Sequence, residues 1–181
     1  MAGRVGAVPL GPGGVGKSTL GTALAAHLHW PLIDLDLVFC EQIDITGPLI
    51  ARHGYERYRA QNLRLAERLL ASASRPVIFV TSSGFLAAER QSSDYQSAKA
   101  LIATGYAVTV LPSLDLEEAT DIVVARQLTR GFGFVRASEE PKFRARFAIY
   151  QNEGDALLIG TAPASEMAAV LAHQLAIPGL D

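Results

Sequence analysis

The stretch Gly11-Pro12-Gly13-Gly14-Val15-Gly16-Lys17-Ser18-Thr19 limits what this chain can fold into more than any other. It satisfies the phosphate-loop pattern of Gly, four residues and Gly-Lys-Ser/Thr. Four glycines let the backbone turn successive N–H groups inward, forming a nest for phosphate oxygens. Lys17 brings a point charge to the β and γ phosphates, and Ser18 offers a hydroxyl to Mg²⁺. A helix starting near Gly16 aims its positive dipole end at the same anion. The expected nucleotide-binding set is Gly11, Gly13, Gly14, Val15, Gly16, Lys17, Ser18 and Thr19. The context agrees: residues 5–10 are an apolar run that predicts a buried strand, and Leu20, Ala23, Leu24, His27 and Leu28 follow at helical spacing.

At 181 residues and 49% hydrophobic content the chain can bury one core, so a single domain over residues 1–181 is expected. A net charge of -2 with no polybasic arm argues against nucleic acid or an anionic membrane as partner. The single cysteine, Cys40, excludes an intramolecular disulfide, and four scattered histidines show no ligand spacing. No apolar run is long enough to span a bilayer and no leader pattern opens the chain, which predicts a cytoplasmic protein, monomeric or weakly homo-oligomeric.

Along the chain, residues 30–34 read as a short strand ending in Asp34-Leu35-Asp36. Two carboxylates at the carboxyl end of a strand in an open parallel sheet face the ligand edge, where they orient Mg²⁺ or take a proton from a hydroxyl; the alternative is that Asp36 caps the next helix. A turn is expected at Thr46-Gly47-Pro48, followed by a short helical piece and a long helix over 55–71 with Arg52, Arg57 and Arg59 near its start. These arginines are either a solvated face or an anion clamp. Residues 75–81 form the clearest strand and end in Ser82-Ser83-Gly84. Helices over 92–103 and 113–128 flank a strand over 106–111. Residues 129–138 mix glycine, aromatics and arginine without a period, and a helix over 139–150 carries Lys142, Arg144 and Arg146, together a mobile basic flap. A strand over 156–160 and a helix begun near Pro163 complete an α/β alternation.

Taken together, these residues resemble the shikimate kinase family. Gly11-x-x-Gly14-x-Gly16-Lys17-Ser18-Thr19-Leu20-Gly21 followed by Asp34-x-Asp36 is similar to that family's opening segment. The resemblance implies a P-loop NTPase fold: a five-stranded parallel sheet, helices on both faces and a mobile lid near residues 130–146. It also implies ATP and Mg²⁺ as cofactors, with Ser18 and Asp34 toward the metal and Lys17, Asp36 and Arg130 as catalytic residues. Arg59 and Arg146 resemble the arginines that bind the substrate carboxylate, and Arg130 the lid arginine at the moving phosphate. The resemblance further implies that Asp36 holds the reacting hydroxyl and that Ser82, Ser83 and Gly84 line the substrate pocket. Three positions depart from the family pattern: Ser82-Ser83-Gly84 stands where three glycines are usual, Asn62 replaces an acid, and Gly131 follows the lid arginine in place of proline.

The function expected is phosphoryl transfer from ATP to a hydroxyl of a small carboxylate, shikimate or a related hydroxy acid. A ligand sensor that keeps the pocket without turnover and a nucleotide kinase are the alternatives. A GTPase switch fits poorly, because Asp44-x-x-Gly47 lies in a turn and Asn152-x-x-Asp155 lacks the lysine beside its asparagine.

Overall fold

The computed structural model describes residues 6–74, 76–131 and 133–175. Strands β1 (Gly6–Leu10), β2 (Leu32–Asp34), β3 (Val77–Val80), β4 (Tyr106–Leu111) and β5 (Ala156–Ile159) form one sheet in the order β2-β3-β1-β4-β5. Every pairing is parallel. Among the described residues eight helices connect the strands: α1 (Lys17–Leu28), α2 (Leu35–Gln42), α3 (Thr46–His53), α4 (Tyr55–Ser72), α5 (Ser93–Ile102), α6 (Leu116–Leu128), α7 (Arg136–Tyr150) and α8 (Ala164–Leu175).

Successive residues of the central strands feed opposite cores. Val8, Leu10, Val77 and Phe79 pack with α2, α4 and α5, whereas Ala7, Ile78, Val80, Val108 and Val110 pack with α1, α6, α7 and α8. Strands buried on both faces read as unbroken apolar runs rather than as alternating ones. The chain leaves β1 toward one edge and β3 toward the other, so the loops after these two neighbours diverge and leave a crevice at their carboxyl ends. Into that crevice come the glycine loop and residues 82–84.

Most boundaries agree with expectation to within a few residues. Val5, Arg75 and Phe132, included in the expected strands and flap, lie outside the described residues. Thr46-Gly47-Pro48 is helical rather than a turn, because Pro48 falls in the first turn of α3, where a missing N–H breaks no helical bond. The last helix of the flap begins at Arg136 rather than residue 139. Arg136 pairs with Asp121 at 2.9 Å, and Arg144 grips Glu117 through two 2.6 Å bonds, so α7 is tied to α6. Each exposed pair adds little stability alone, but together they fix the rotation of α7 that turns Arg146 inward.

Candidate functional site

The loop between β1 and α1 forms one wall of a cavity of about 810 Å³. Gly14 has φ +83°, and a Cβ there would lie 2.8 Å from Cγ1 of Val123 on α6, so both backbone angle and packing require glycine. Lys17 is buried, and its ammonium donates to the Pro12 carbonyl at 2.8 Å, folding over the loop it closes. Burial pushes its pKa down to about 8; Asp36 and Asp34 pull it back up, while Arg146 and Arg130 press it down. These five charges share one electrostatic site.

Asp34 ends β2 and caps α2: its Oδ1 accepts from the N–H of Asp36 at 3.2 Å and of Leu37 at 3.4 Å. The capping role considered for Asp36 belongs to Asp34. Held in the first turn, Asp36 lines the cavity, and the Tyr58 hydroxyl donates to its Oδ1 at 3.4 Å. Burial raises the Asp36 pKa above the ordinary carboxylate range, opposed first by Lys17 and then by the Tyr58 bond and Arg146. Hard oxygens suited to Mg²⁺ stand near the loop on exposed Ser18 and on Asp36 at the cavity wall, whereas Asp34 is buried off that wall. Among the described residues no group of three or more His, Cys, Asp or Glu forms a self-sufficient metal cage.

The opposite wall is assembled from distant segments. Arg146 of α7 donates to Ser83 Oγ at 2.9 Å and to the Tyr55 hydroxyl at 3.1 Å. Both partners are neutral, so its charge stays available to an anion. Gly84 is needed here, because a Cβ would sit 1.7 Å from the Tyr55 hydroxyl. Arg130 also lines the cavity, held by Gln127 Oε1 at 3.1 Å. Lys142 is paired with Glu139 at 2.7 Å and Arg144 with Glu117, so the basic charge expected of the flap narrows to Arg130 and Arg146 with neutral partners.

Three expected substrate contacts lie elsewhere. Ser82 is buried and donates to Asn62 Oδ1 at 2.8 Å, away from the cavity wall that Ser83 occupies. Two departures from the family pattern thus satisfy one another. Gly84 shapes the wall without lining it, and Arg59 is also off the wall, its Nε 3.4 Å from Asp94 of α5. Gly11 serves the turn behind the loop rather than the cavity. Sequence reasoning did not assign Tyr55, Tyr58 or Gln127 to the site. The two tyrosines, three apart at the start of the arginine-bearing helix, were the available signal.

A five-stranded parallel sheet whose first strand runs into a glycine loop and a helix-borne lysine defines a P-loop NTPase fold. A sequence profile described as shikimate kinase matches residues 13–111, and this chain belongs to that family. A segment of 78 residues, 42% of this chain, is 37% identical to a shikimate kinase of Bradyrhizobium diazoefficiens, covering 37% of that protein. A segment of 94 residues is 28% identical to a shikimate kinase 2 of Syntrophotalea carbinolica, covering 52% of it. With a pentafunctional AROM polypeptide of Malassezia globosa the identity is 35% over 71 residues, 39% of this chain and 4% of that one. The chain therefore spans about half or less of the curated relatives it matches. A solved shikimate kinase from Acinetobacter baumannii, in complex with shikimate, superposes with TM-score 0.77 at 17% identity over 98% of this chain and 96% of that one. A gluconokinase from Sinorhizobium meliloti gives 0.61 at 20% identity, over 97% and 98% of the two chains. At these identities the likeness is one of fold.

Proposed function

We propose that this chain is an ATP-dependent phosphotransferase acting on a hydroxyl of a small hydroxy carboxylate, shikimate or a relative. The observation that carries the reading is the single cavity in which Lys17, Asp36, Arg130 and Arg146 meet. Loop amides and Lys17 hold the phosphates, and Ser18 with Asp34 would hold Mg²⁺ directly or through water. The chemistry such an ion would supply is neutralisation of phosphate charge. Asp36 accepts the proton of the acceptor hydroxyl as its oxygen bonds to the terminal phosphorus and the bond to the ADP oxygen breaks. A carboxylate whose pKa burial raises is a stronger base for that step. Arg130 offsets charge on the moving phosphoryl group, and the Arg146 fork takes the acceptor carboxylate.

The whole chain would act as one kinase domain in the cytoplasm, with residues 130–146 as a lid. Ser83 on the wall and Arg59 turned to Asp94 favour an acceptor preference unlike that of a pocket lined by three glycines and two free arginines. The test is ADP release with Mg²⁺ and ATP against shikimate and a panel of hydroxylated carboxylic acids. Turnover with at least one acid is expected. Saturable binding of an acid with no ADP formed would overturn catalysis and leave a sensor; turnover only with a nucleoside monophosphate would leave a nucleotide kinase.

A further inference from the structure

A guanidinium can only donate hydrogen bonds, so Ser83 Oγ at 2.9 Å and the Tyr55 hydroxyl at 3.1 Å both accept from Arg146. With one lone pair of each oxygen turned to the guanidinium, each O–H proton points elsewhere. Among the described residues neither proton has an acceptor of its own, and both side chains line the cavity. The packing around them is specific. A Cβ at Gly84 would sit 1.7 Å from the Tyr55 hydroxyl and 3.2 Å from Arg146 Nη2. Gly84 does not have a positive φ, so it is this cluster rather than the backbone that demands glycine there. Buried Tyr150, one turn beyond Arg146 on α7, accepts from the Leu86 N–H at 3.3 Å and lies 3.4 Å from the Ser83 carbonyl. The loop that carries Ser83 is thereby fastened to the helix that carries Arg146.

We propose that Tyr55 and Ser83 are specificity-determining residues: their hydroxyls and the Arg146 fork together bind the carboxylate of an acceptor that carries a single negative group. This rests on the reading of the cavity as a hydroxy-acid kinase site. A carboxylate offers about four lone-pair sites. The spare N–H groups of one guanidinium and two O–H donors fill them without a second arginine, and Arg59 stands off the wall, 3.4 Å from Asp94. Charge sets the limit to one negative group. The Arg146 charge already acts on Asp36, which lines the same cavity. A second carboxylate or a phosphate on the acceptor would meet the Asp36 charge with that cation already engaged. Neutral donors orient the anion and add no charge that would draw a dianion in.

Calorimetric titration in the presence of ADP and Mg²⁺ reads acceptor binding without turnover. The probe is whichever hydroxylated carboxylic acid, shikimate included, binds the wild-type chain most tightly, set against its methyl ester, which keeps the hydroxyls and loses the charge. Tyr55→Phe and Ser83→Ala should each weaken the acid about 3- to 10-fold, the worth of one hydrogen bond, and move the ester by less than about 2-fold. In an Arg146→Lys background Tyr55→Phe should still cost the acid about 2-fold or more. Two single variants are used, so that a folding defect in one leaves the other decisive. Acid and ester weakened alike would mean that the two residues only shape the wall, which overturns the proposal. No further loss in the Arg146→Lys background would mean that the hydroxyls merely hold the guanidinium, which overturns it too. So does an Arg59→Gln variant that loses as much acid affinity as Tyr55→Phe, since that restores a two-arginine clamp. A panel in which no monocarboxylate binds, or in which a dicarboxylate binds more tightly, has the same consequence. Loss confined to the acid, in a protein that releases no ADP with any acceptor, keeps the binding site and removes the kinase reading instead.

Discussion

Residues 13–19 line the cavity from one contiguous stretch, the loop after β1 and the first turn of α1. The facing wall offers side chains: Asp36 from α2, Tyr55 and Tyr58 from α4, Ser83 from the loop after β3, and Arg146 from α7. The first region is fixed by glycine backbone, through positive φ at Gly14 and Gly16 and through the lack of room for a Cβ at Gly14 against Val123. The second is fixed by hydrogen bonds between segments up to 91 residues apart, the separation of Tyr55 from Arg146. A phosphate is the same in every kinase of this fold, so a contiguous backbone nest can be reused unchanged. Acceptors differ, and a wall of independent side chains can change one contact at a time.

The sharpest test of the loop side is Lys17→Met. Loss of one preorganised cation at the transferring group should lower kcat by roughly 10²-fold or more. Stability should move the other way. The folded pKa near 8 lies below the ordinary lysine value of 10.5, so between those values the unfolded chain binds more protons and stability rises with pH. Below pH 8 the buried charge costs on the order of 1 to 3 kcal/mol, which a methionine stem of similar length avoids. The variant should therefore melt higher at pH 7, with the advantage shrinking toward pH 10. A variant less stable at pH 7, or one with equal turnover, breaks the reading of Lys17 as a charge held at the expense of the fold.

On the acceptor side, Arg146→Lys keeps the charge but loses the planar fork that reaches Ser83 and Tyr55 together. KM for the acceptor should rise about 10-fold, the scale of one hydrogen bond to a charged group, and KM for ATP should stay put. Equal rises in both would mean that the two walls are not separable.

What could be read from the sequence follows the same division. The phosphate loop, its strand and its helix were legible because pattern and chemistry lie in consecutive residues. The alternation of strands and helices was legible because buried parallel strands read as apolar runs, as 77–80 does throughout and 106–111 does but for Thr109. The start of α7 was not, since 136–138 carry no apolar period and the helix there is tied by Arg136 to Asp121, a tertiary contact. Nor could spacing show that Asp34 caps α2, freeing Asp36, or that Arg59 turns to Asp94. Those outcomes depend on rotamers and on partners brought near by the fold.

The two serines at 82 and 83 give the finest test, because adjacent residues of one type fall on opposite sides of the division. Ser82 is buried and bonded to Asn62, whose Nδ2 is itself buried without a partner. Removing the hydroxyl by Ser82→Ala orphans the Asn62 carbonyl as well, which should cost about 1 to 3 kcal/mol of stability and leave the ratio of kcat/KM among acceptors unchanged. Ser83→Ala removes a hydroxyl that accepts from Arg146 at the half-buried cavity wall, where solvent or substrate can replace it. Stability should change by less than about 0.5 kcal/mol, while the acceptor ratio shifts by a few fold as the guanidinium gains freedom. The measurements are chemical denaturation and competition between two acceptors. If Ser82→Ala moves the acceptor ratio as much as Ser83→Ala, the pocket reaches behind the loop, and the pairing of Ser82 with Asn62 is part of recognition rather than of the core.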